Sequence, residues 1–154
     1  MVKKIAIGSD HGGFRLKEKI KTELDSMGIK IMDEGPGTED SCDYPLFGFG
    51  VAEKVALRKA DRGIVICTSG IGMSIVANKL PGVRAALCAT VEDAVSSREH
   101  NDANVLVLGA KRVTGPGAVR IAKVWLATKA LKGRHARRVR QIKEIDKRVF
   151  KKMK

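Results

Sequence analysis

Aromatic residues, cysteines and long apolar runs are scarce in this sequence, and each shortage excludes a class of protein. The three cysteines are an odd number, and their spacing fits neither a disulfide framework nor a zinc site. No apolar run approaches the roughly 20 residues of a membrane-spanning helix, and the first residues lack the apolar core of a signal peptide. We therefore expect one cytoplasmic domain over residues 1–154, with no membrane partner and no structural metal.

Acidic residues are almost missing from the C-terminal part of the chain. Residues 1–110 carry 14 lysines and arginines against 15 aspartates and glutamates, whereas residues 111–154 carry 16 against 2. Such a basic segment can bind nucleic acid, but only 4% of the chain is aromatic, and Phe150 is the one aromatic residue after Trp125. We therefore favour a solvated helix that contributes a few arginines to a phosphate site, and we do not expect nucleic acid as a partner.

Short runs of β-type residues alternate with helical patterns along the chain. This alternation is typical of an α/β fold in which crossover helices connect parallel strands. Strands are predicted at residues 3–9, 30–33, 63–67, 84–89 and 105–108. Helices are predicted at residues 13–27, 43–59, 72–79, 90–100, 114–131 and 135–152.

The apolar residues also indicate what these elements cover. The fourth strand is apolar almost throughout, as strands buried on both faces are. The first helix carries an apolar face made of Leu16, Ile20, Leu24 and Met27. The last helix carries an apolar stripe that needs a surface to cover, which another subunit could supply. That stripe consists of Val139, Ile142, Ile145, Val149 and Met153.

The segment 67–74, Cys-Thr-Ser-Gly-Ile-Gly-Met-Ser, follows the apolar run 63–66 directly. It places the Cys67 thiol where a buried strand gives way to a glycine-rich turn and a new helix. Amide groups at a helix start stabilise a thiolate and can also hold a substrate anion. A base beside an anion site favours proton abstraction next to a carbonyl, but thiol nucleophilic attack would use the same groups.

The end of the first strand carries a second group of polar residues, Asp10 and His11, followed by two glycines. Ligands of an open parallel sheet collect beyond the carboxyl ends of its strands. Only the first and third strand ends combine ionisable groups with glycines, so we expect them to line one cleft. Neither turn has the spacing of a nucleotide-binding signature.

The remaining candidates have simpler local explanations. Cys88 lies inside an apolar run and is predicted to be a small buried side chain. His100, taken alone, is a favourable cation at the end of a helix. The basic residues that follow Gly133 suit phosphate binding, although such a run is usually a solvated helix face. They are Arg134, His135, Arg137, Arg138 and Arg140.

Five separated motifs, taken together, resemble the type B ribose-5-phosphate isomerases and their galactose-6-phosphate and allose-6-phosphate isomerase relatives. The resemblance covers nearly the whole chain. It implies a Rossmann-like three-layer sandwich around a five-stranded parallel sheet, with a C-terminal amphipathic helix at about 135–152, assembled as a homodimer or homotetramer. The motifs are Ser9-Asp10-His11-Gly12-Gly13, Asp43-Tyr44-Pro45, the turn from Cys67 to Ile75 with Ala77-Asn78-Lys79, His100-Asn101-Asp102 and Gly133-Arg134-His135.

The resemblance implies cofactor-free and metal-free interconversion of ribose 5-phosphate and ribulose 5-phosphate through an enediolate. Cys67 would be the base that moves a proton between C1 and C2, and Ser69 would serve the neighbouring oxygens. Asp10 and His100 would open the sugar ring, in a site shared between subunits. The substrate-binding residues would be Tyr44 and Asn101 for hydroxyls, His11, Arg134, Arg138 and Arg112 for the phosphate, and the amides of Gly70, Ile71, Gly72, Met73 and Ser74 for the enediolate.

The cysteine turn departs from the family's pattern at two positions. Thr68 and Ser69 stand where the familiar loop has glycine and threonine. Ser69 keeps a hydroxyl, whereas Thr68 adds bulk beside the substrate. Bulk at this position can change which sugar fits, so one alternative is an isomerase of a six-carbon sugar phosphate, such as allose 6-phosphate or galactose 6-phosphate. From another class, the alternative is a nucleic-acid-binding protein on an inactive isomerase fold.

Overall fold

The computed structural model describes residues 2–152, with side chains to residue 149, so the predicted place of Met153 lies outside the described residues. The strands are β1 (Lys4–Ser9), β2 (Lys30–Asp33), β3 (Arg62–Cys67), β4 (Ala85–Leu87) and β5 (Val105–Gly109). The helices are α1 (Phe14–Ser26), α2 (Tyr44–Ala56), α3 (Ile71–Ala77), α4 (Val91–Asn101), α5 (Gly115–Ala127) and α6 (Arg134–Lys152). A 3-10 turn, His11–Gly13, connects β1 to α1.

The five strands form one parallel sheet in the order β2-β1-β3-β5-β4. Successive side chains of a strand point to opposite faces, so each central strand contributes to two apolar layers. α1, α4 and α5 cover the face that carries Ile7, Ile64 and Leu106, whereas α2 and α3 cover the face with Val65 and Val107. The predicted three-layer α/β architecture is confirmed.

Two predictions about burial are wrong. β4 is an edge strand beside β5, and Ala85, Ala86 and Leu87 are only half-buried. Met27 is 47% exposed, because α1 ends at Ser26 and the chain turns away at Gly28, where φ is +71°. The other apolar residues of the α1 face are buried as predicted.

Three further helices, α2, α3 and α5, end two to four residues earlier than predicted, and local hydrogen bonds explain why. Beyond α2, the amides of Lys59 and Ala60 both donate to the carbonyl of Lys54, which wraps the chain around the helix end. Beyond α3, the Asn78 side chain donates to the Ala85 carbonyl at 2.9 Å and so ties the helix end to β4. Beyond α5, the Leu131 amide donates to the Glu99 carbonyl of α4. Helical periodicity does not reveal these hydrogen bonds, so the sequence pattern did not predict where the helices end.

The apolar stripe of α6 is only partly covered by its own chain. Val139 is buried and Ile142 is half-buried, whereas Ile145 and Val149 are 57% and 47% exposed. Asp146 holds this part of the helix against the body by accepting a hydrogen bond from the Gly82 amide. No helix within residues 2–152 has the length and apolar character to cross a membrane.

Candidate functional site

Cys67 ends β3, and the chain then bends back over its thiol. The side chain is 4% exposed, and the Gly70 amide donates to Sγ at 3.1 Å. Gly70 has a φ of +80°, a conformation that glycine adopts without strain. The Ser69 hydroxyl accepts a hydrogen bond from the Ile71 amide at 3.2 Å. The turn therefore presents an amide donor to the Cys67 sulfur at the start of α3.

The ends of β1 and β3 are in contact, as the sequence predicts. The Asp10 amide donates to the Ile66 carbonyl at 3.1 Å, and the buried Asp10 carboxylate accepts from the Gly13 amide at 2.9 Å. A Cβ added at Gly12 would overlap Thr68 Oγ1. Thr68 therefore fills the space between the two turns, and position 12 has room only for glycine.

The loop between β2 and α2 brings two further candidates to this edge of the sheet. Exposed His11 accepts a hydrogen bond through Nδ1 from the Cys42 amide at 3.2 Å. The Tyr44 ring lies against Gly72, where an added Cβ would be 2.5 Å from Tyr44 Cζ. The loop therefore forms a wall of the cleft beside the cysteine turn.

Arg112 reaches the same edge from the other side. Gly109 ends β5, and a Cβ added there would lie 2.5 Å from the Ser69 carbonyl oxygen and 3.0 Å from Arg112 Cδ. Arg112 is exposed, and its side chain begins close to the cysteine turn. We call these residues the Cys67 group, which comprises Asp10, His11, Tyr44, Cys67, Ser69 and Arg112.

The other candidates lie on the opposite side of the sheet, near the ends at which the strands begin. α4 starts beyond the carboxyl end of β4 and runs back, so His100 and Asn101 lie near the starts of the strands. A hydrogen bond just after α4 agrees with this placement, because the Gly63 amide near the start of β3 donates to the carbonyl of Asn104. Four residues of strand, about 13 Å, separate Gly63 from Cys67.

On that side of the sheet α4 meets the start of α6. The ring of His100 stacks on the ring of His135, with centroids 4.3 Å apart and planes inclined by 13°. Partial loss of solvent, followed by the charges of His100, Arg134 and Arg138, lowers the pKa of His135. The exposed residues His100, Asn101, Arg134 and Arg138 are called the His100 group below. Within one chain the structure does not bring this group to Cys67.

Comparison with known proteins gives the site its context. The sequence model of the Ribose/Galactose Isomerase family matches residues 5–142. The chain belongs to this family. A putative sugar phosphate isomerase of Bacillus subtilis is 47% identical over 147 residues, covering 94% of this chain and 98% of the relative. Ribose-5-phosphate isomerase B of Escherichia coli is 42% identical over 147 residues, covering 96% and 99%.

Solved structures of the family share the fold closely. Ribose-5-phosphate isomerase B of Clostridium thermocellum superimposes with a TM-score of 0.92 at 50% identity, covering 95% of this chain and 99% of that one. The Mycoplasma genitalium ribose-5-phosphate isomerase B with bound ribulose-5-phosphate has a TM-score of 0.91 at 38% identity, covering 96% and 98%. The family predicted from the five motifs is confirmed.

Three arginines that the sequence analysis missed, the buried Arg98 and the half-buried Arg62 and Arg84, surround the end of α4 that carries His100 and Asn101. Asp102 follows α4 with a φ of +46°, and its carboxylate accepts from Arg98 at 2.8 Å and from Arg84 at 3.1 Å. Arg84 Nε also donates to the Asn101 carbonyl at 3.0 Å. Arg62 lies close by, and burial lowers its pKa to about 10. The arginines come from three separate segments, so no local pattern in the sequence could reveal them.

The cysteine turn of this family member also yields a stability prediction. Gly70 and Gly82 both have positive φ, at +80° and +78°. A Cβ at Gly70 would overlap Leu87 Cδ1 and lie 3.2 Å from the Gly109 amide nitrogen, whereas a Cβ at Gly82 meets nothing within 4 Å. We expect Gly82→Ala to cost about 1–2 kcal/mol of unfolding free energy and Gly70→Ala about 3 kcal/mol or more. Urea denaturation measures both, and equal losses would contradict the close packing described at Gly70.

Proposed function

We propose that this chain is an aldose-ketose isomerase that interconverts ribose 5-phosphate and ribulose 5-phosphate, without metal or cofactor. The observation that carries the proposal is the Cys67 thiol at the end of β3, enclosed by the Gly70 amide at 3.1 Å and adjacent to the turn that holds Asp10. Relatives that cover nearly the whole chain are named for the same reaction, and one solved relative has ribulose-5-phosphate bound.

The proposed chemistry begins with proton transfer at carbon. Cys67 thiolate removes the proton from C2 of the open-chain aldose, the C2 electrons form the C1–C2 double bond, and negative charge develops on the C1 oxygen. Return of the proton to C1, with transfer of the hydroxyl proton from O2 to O1, gives the ketose. Ser69 serves these two oxygens. Donors already in position at the oxygen that gains charge stabilise the transition state more than the ground state.

The amides of Gly72 and Met73, at the start of α3, are the donors for this oxyanion, since those of Gly70 and Ile71 donate to Cys67 Sγ and the Ser69 hydroxyl. The first bond within the helix runs from the Ser74 amide to the Gly70 carbonyl at 3.0 Å. The amides of Gly72 and Met73 precede it and therefore have no partner within the helix. Met73 takes part through its backbone alone, since its side chain is fully buried between α3 and the sheet.

The site is completed by a second copy of the chain. The Cys67 group supplies the base, Asp10 and His11, and the His100 group of the other copy supplies a ring-opening imidazole and two phosphate-binding arginines. In a two-fold dimer each contact occurs twice, so both sites are completed together. Large exposed apolar side chains on α2 and α3 support such an assembly. They are Leu46, Phe49, Ile71 and Ile75, which are 75%, 47%, 49% and 57% exposed.

The five-carbon substrate is favoured by the position of Thr68. Its side chain fills the space beside Gly12, so the cleft between the two turns is narrower than a glycine at position 68 would leave it. We also propose a cytoplasmic location, which the three free thiols support, because unpaired cysteines are usual in a reducing compartment.

A substrate panel tests the proposed function. Purified protein is incubated with ribose 5-phosphate, allose 6-phosphate and galactose 6-phosphate, and the ketose products are quantified. We expect ribose 5-phosphate to have the highest kcat/KM. A preference for a six-carbon sugar would replace the substrate but keep the reaction type, whereas no turnover of any of the three would overturn the proposal.

A further inference from the structure

Lys17 on α1 is a lysine with no exposed surface, and it has no part in the chemistry above. A fully buried ammonium group is costly unless its protons are paired. Its Nζ donates to both carboxylate oxygens of Asp33, at 2.9 and 3.1 Å, and to the Pro36 carbonyl at 2.6 Å. Lys17 thus joins α1 to the last residue of β2 and to Pro36 in the loop that follows.

These residues lie directly against the end of β1. The Gly35 amide donates to Asp33 at 2.9 Å, and the Gly35 carbonyl accepts from the Ser9 amide at 2.9 Å. Ser9 is the residue before Asp10. The Lys17 ammonium therefore fixes a segment that borders the candidate active site next to Ser9 and Asp10.

The same segment continues into the wall of the cleft. Gly35 packs against the Phe47 ring of α2, since a Cβ added at Gly35 would lie 2.8 Å from Phe47 Cε1. Between these anchors the loop carries the Cys42 amide that binds His11, and it ends at Tyr44, whose ring contacts Gly72. Two candidate substrate contacts thus depend on where the loop 34–43 lies.

We propose that Lys17 is a positioning residue of the isomerase, holding the loop 34–43 so that His11 and Tyr44 meet the sugar phosphate. This inference rests on the proposed function. Without the hydrogen bonds from Lys17 to Asp33 and Pro36, the loop would sample several positions, and substrate binding would have to order it. Cys67 and its turn belong to β3 and α3, so the proton transfer itself is little affected. The expected consequence is weaker binding at nearly constant turnover.

Lys21 supplies a matched control on the same helix. It also donates to the Asp33 carboxylate and to Glu18, but it makes no hydrogen bond to Pro36 and its side chain is 26% exposed. Burial alone would raise the pKa of Asp33, but hydrogen bonds from Lys21 and Lys17 outweigh it and lower that pKa. Asp33 therefore keeps a cationic partner when either lysine is replaced, and both single variants should fold.

The test compares Lys17→Met with Lys21→Met in the full-length protein. We expect Lys17→Met to raise KM for ribose 5-phosphate by about tenfold with kcat within about twofold, and Lys21→Met to leave both within about twofold. Tyr44 is the only tyrosine, so protein labelled with fluorotyrosine gives a single ¹⁹F resonance from the loop end. We expect that resonance to shift or broaden in Lys17→Met and not in Lys21→Met.

Three results would overturn the inference. They are an unchanged KM and an unchanged resonance in Lys17→Met, equal effects of the two substitutions, and a loss of kcat at constant KM. If Lys17→Met does not unfold cooperatively, Lys17→Gln, which keeps a shorter neutral donor, is measured in its place with the same expectations. If the wild-type chain has no isomerase activity, the proposed function fails, and the Tyr44 resonance still decides whether Lys17 positions the loop.

Discussion

Cys67→Ala is expected to lower kcat for ribose 5-phosphate by about 1000-fold, with a much smaller change in KM. A positioned general base contributes about 10²- to 10⁴-fold to a proton transfer, and alanine leaves no group that can take the C2 proton. The Gly70 amide that donates to Sγ at 3.1 Å would lose its partner, but the backbone of the turn is also held by the Ala110 amide, which donates to the Cys67 carbonyl. The variant should therefore fold.

Cys88→Ala is the control for this experiment. Cys88 is also a buried cysteine just beyond the end of a strand, but its side chain packs in the layer of α1, α4 and α5, on the other side of the sheet. Burial raises the pKa of its thiol to about 11, so it is protonated at neutral pH. We expect Cys88→Ala to retain kcat within about twofold and to lose about 1 kcal/mol of stability from the small cavity.

Steady-state kinetics on the two variants separate a base from a structural cysteine. Exchange of the C2 proton with deuterated solvent gives an independent measure of proton abstraction, which Cys67→Ala should abolish and Cys88→Ala should leave intact. Normal turnover by Cys67→Ala would refute the cysteine mechanism, even if the isomerase activity itself is confirmed.

A mixture of two inactive variants, Cys67→Ala and His100→Ala, is expected to regain about a quarter of the wild-type activity. Within one chain Cys67 lies where the strands end and His100 lies near where they begin. Each proposed site therefore takes the Cys67 group from one copy and the His100 group from the other. After random exchange of subunits about half of the dimers contain one chain of each kind. In such a dimer one site carries both substitutions and the other carries neither, which gives about one intact site in four.

The control pair is Cys67→Ala with Asp10→Asn. Both residues belong to the Cys67 group, since the Asp10 amide is bonded to the Ile66 carbonyl beside Cys67. Every site of a mixed dimer then carries one of the two substitutions, and we expect no recovery. The variants are mixed in denaturant and refolded together, and differently tagged copies confirm that mixed dimers form. Absence of recovery despite mixed dimers would contradict the shared site, and recovery in the control pair would contradict the grouping of residues.

The residues around Cys67 show why this part of the site was accessible from the sequence. An apolar run, then a thiol, then glycines separated by short side chains is a local pattern, and the parallel sheet requires that strand ends at one edge meet. The contact between Gly12 and Thr68 follows from that topology once β1 and β3 are neighbours. The roles of the individual residues stay predictions, to be decided by the kinetics above.

By itself the sequence determined the class of fold, the family and most of the strand positions, because alternating burial and helical periodicity are properties of neighbouring residues. Only the tertiary structure decided that β5 lies between β3 and β4, which makes β4 an edge strand with half-buried side chains. It also decided that Cys67 lies where the strands end and His100 near where they begin, and that Lys17 is buried against Asp33 and Pro36. Strand order, helix direction and charge pairing depend on contacts between residues far apart in the chain, and local periodicity carries no information about them.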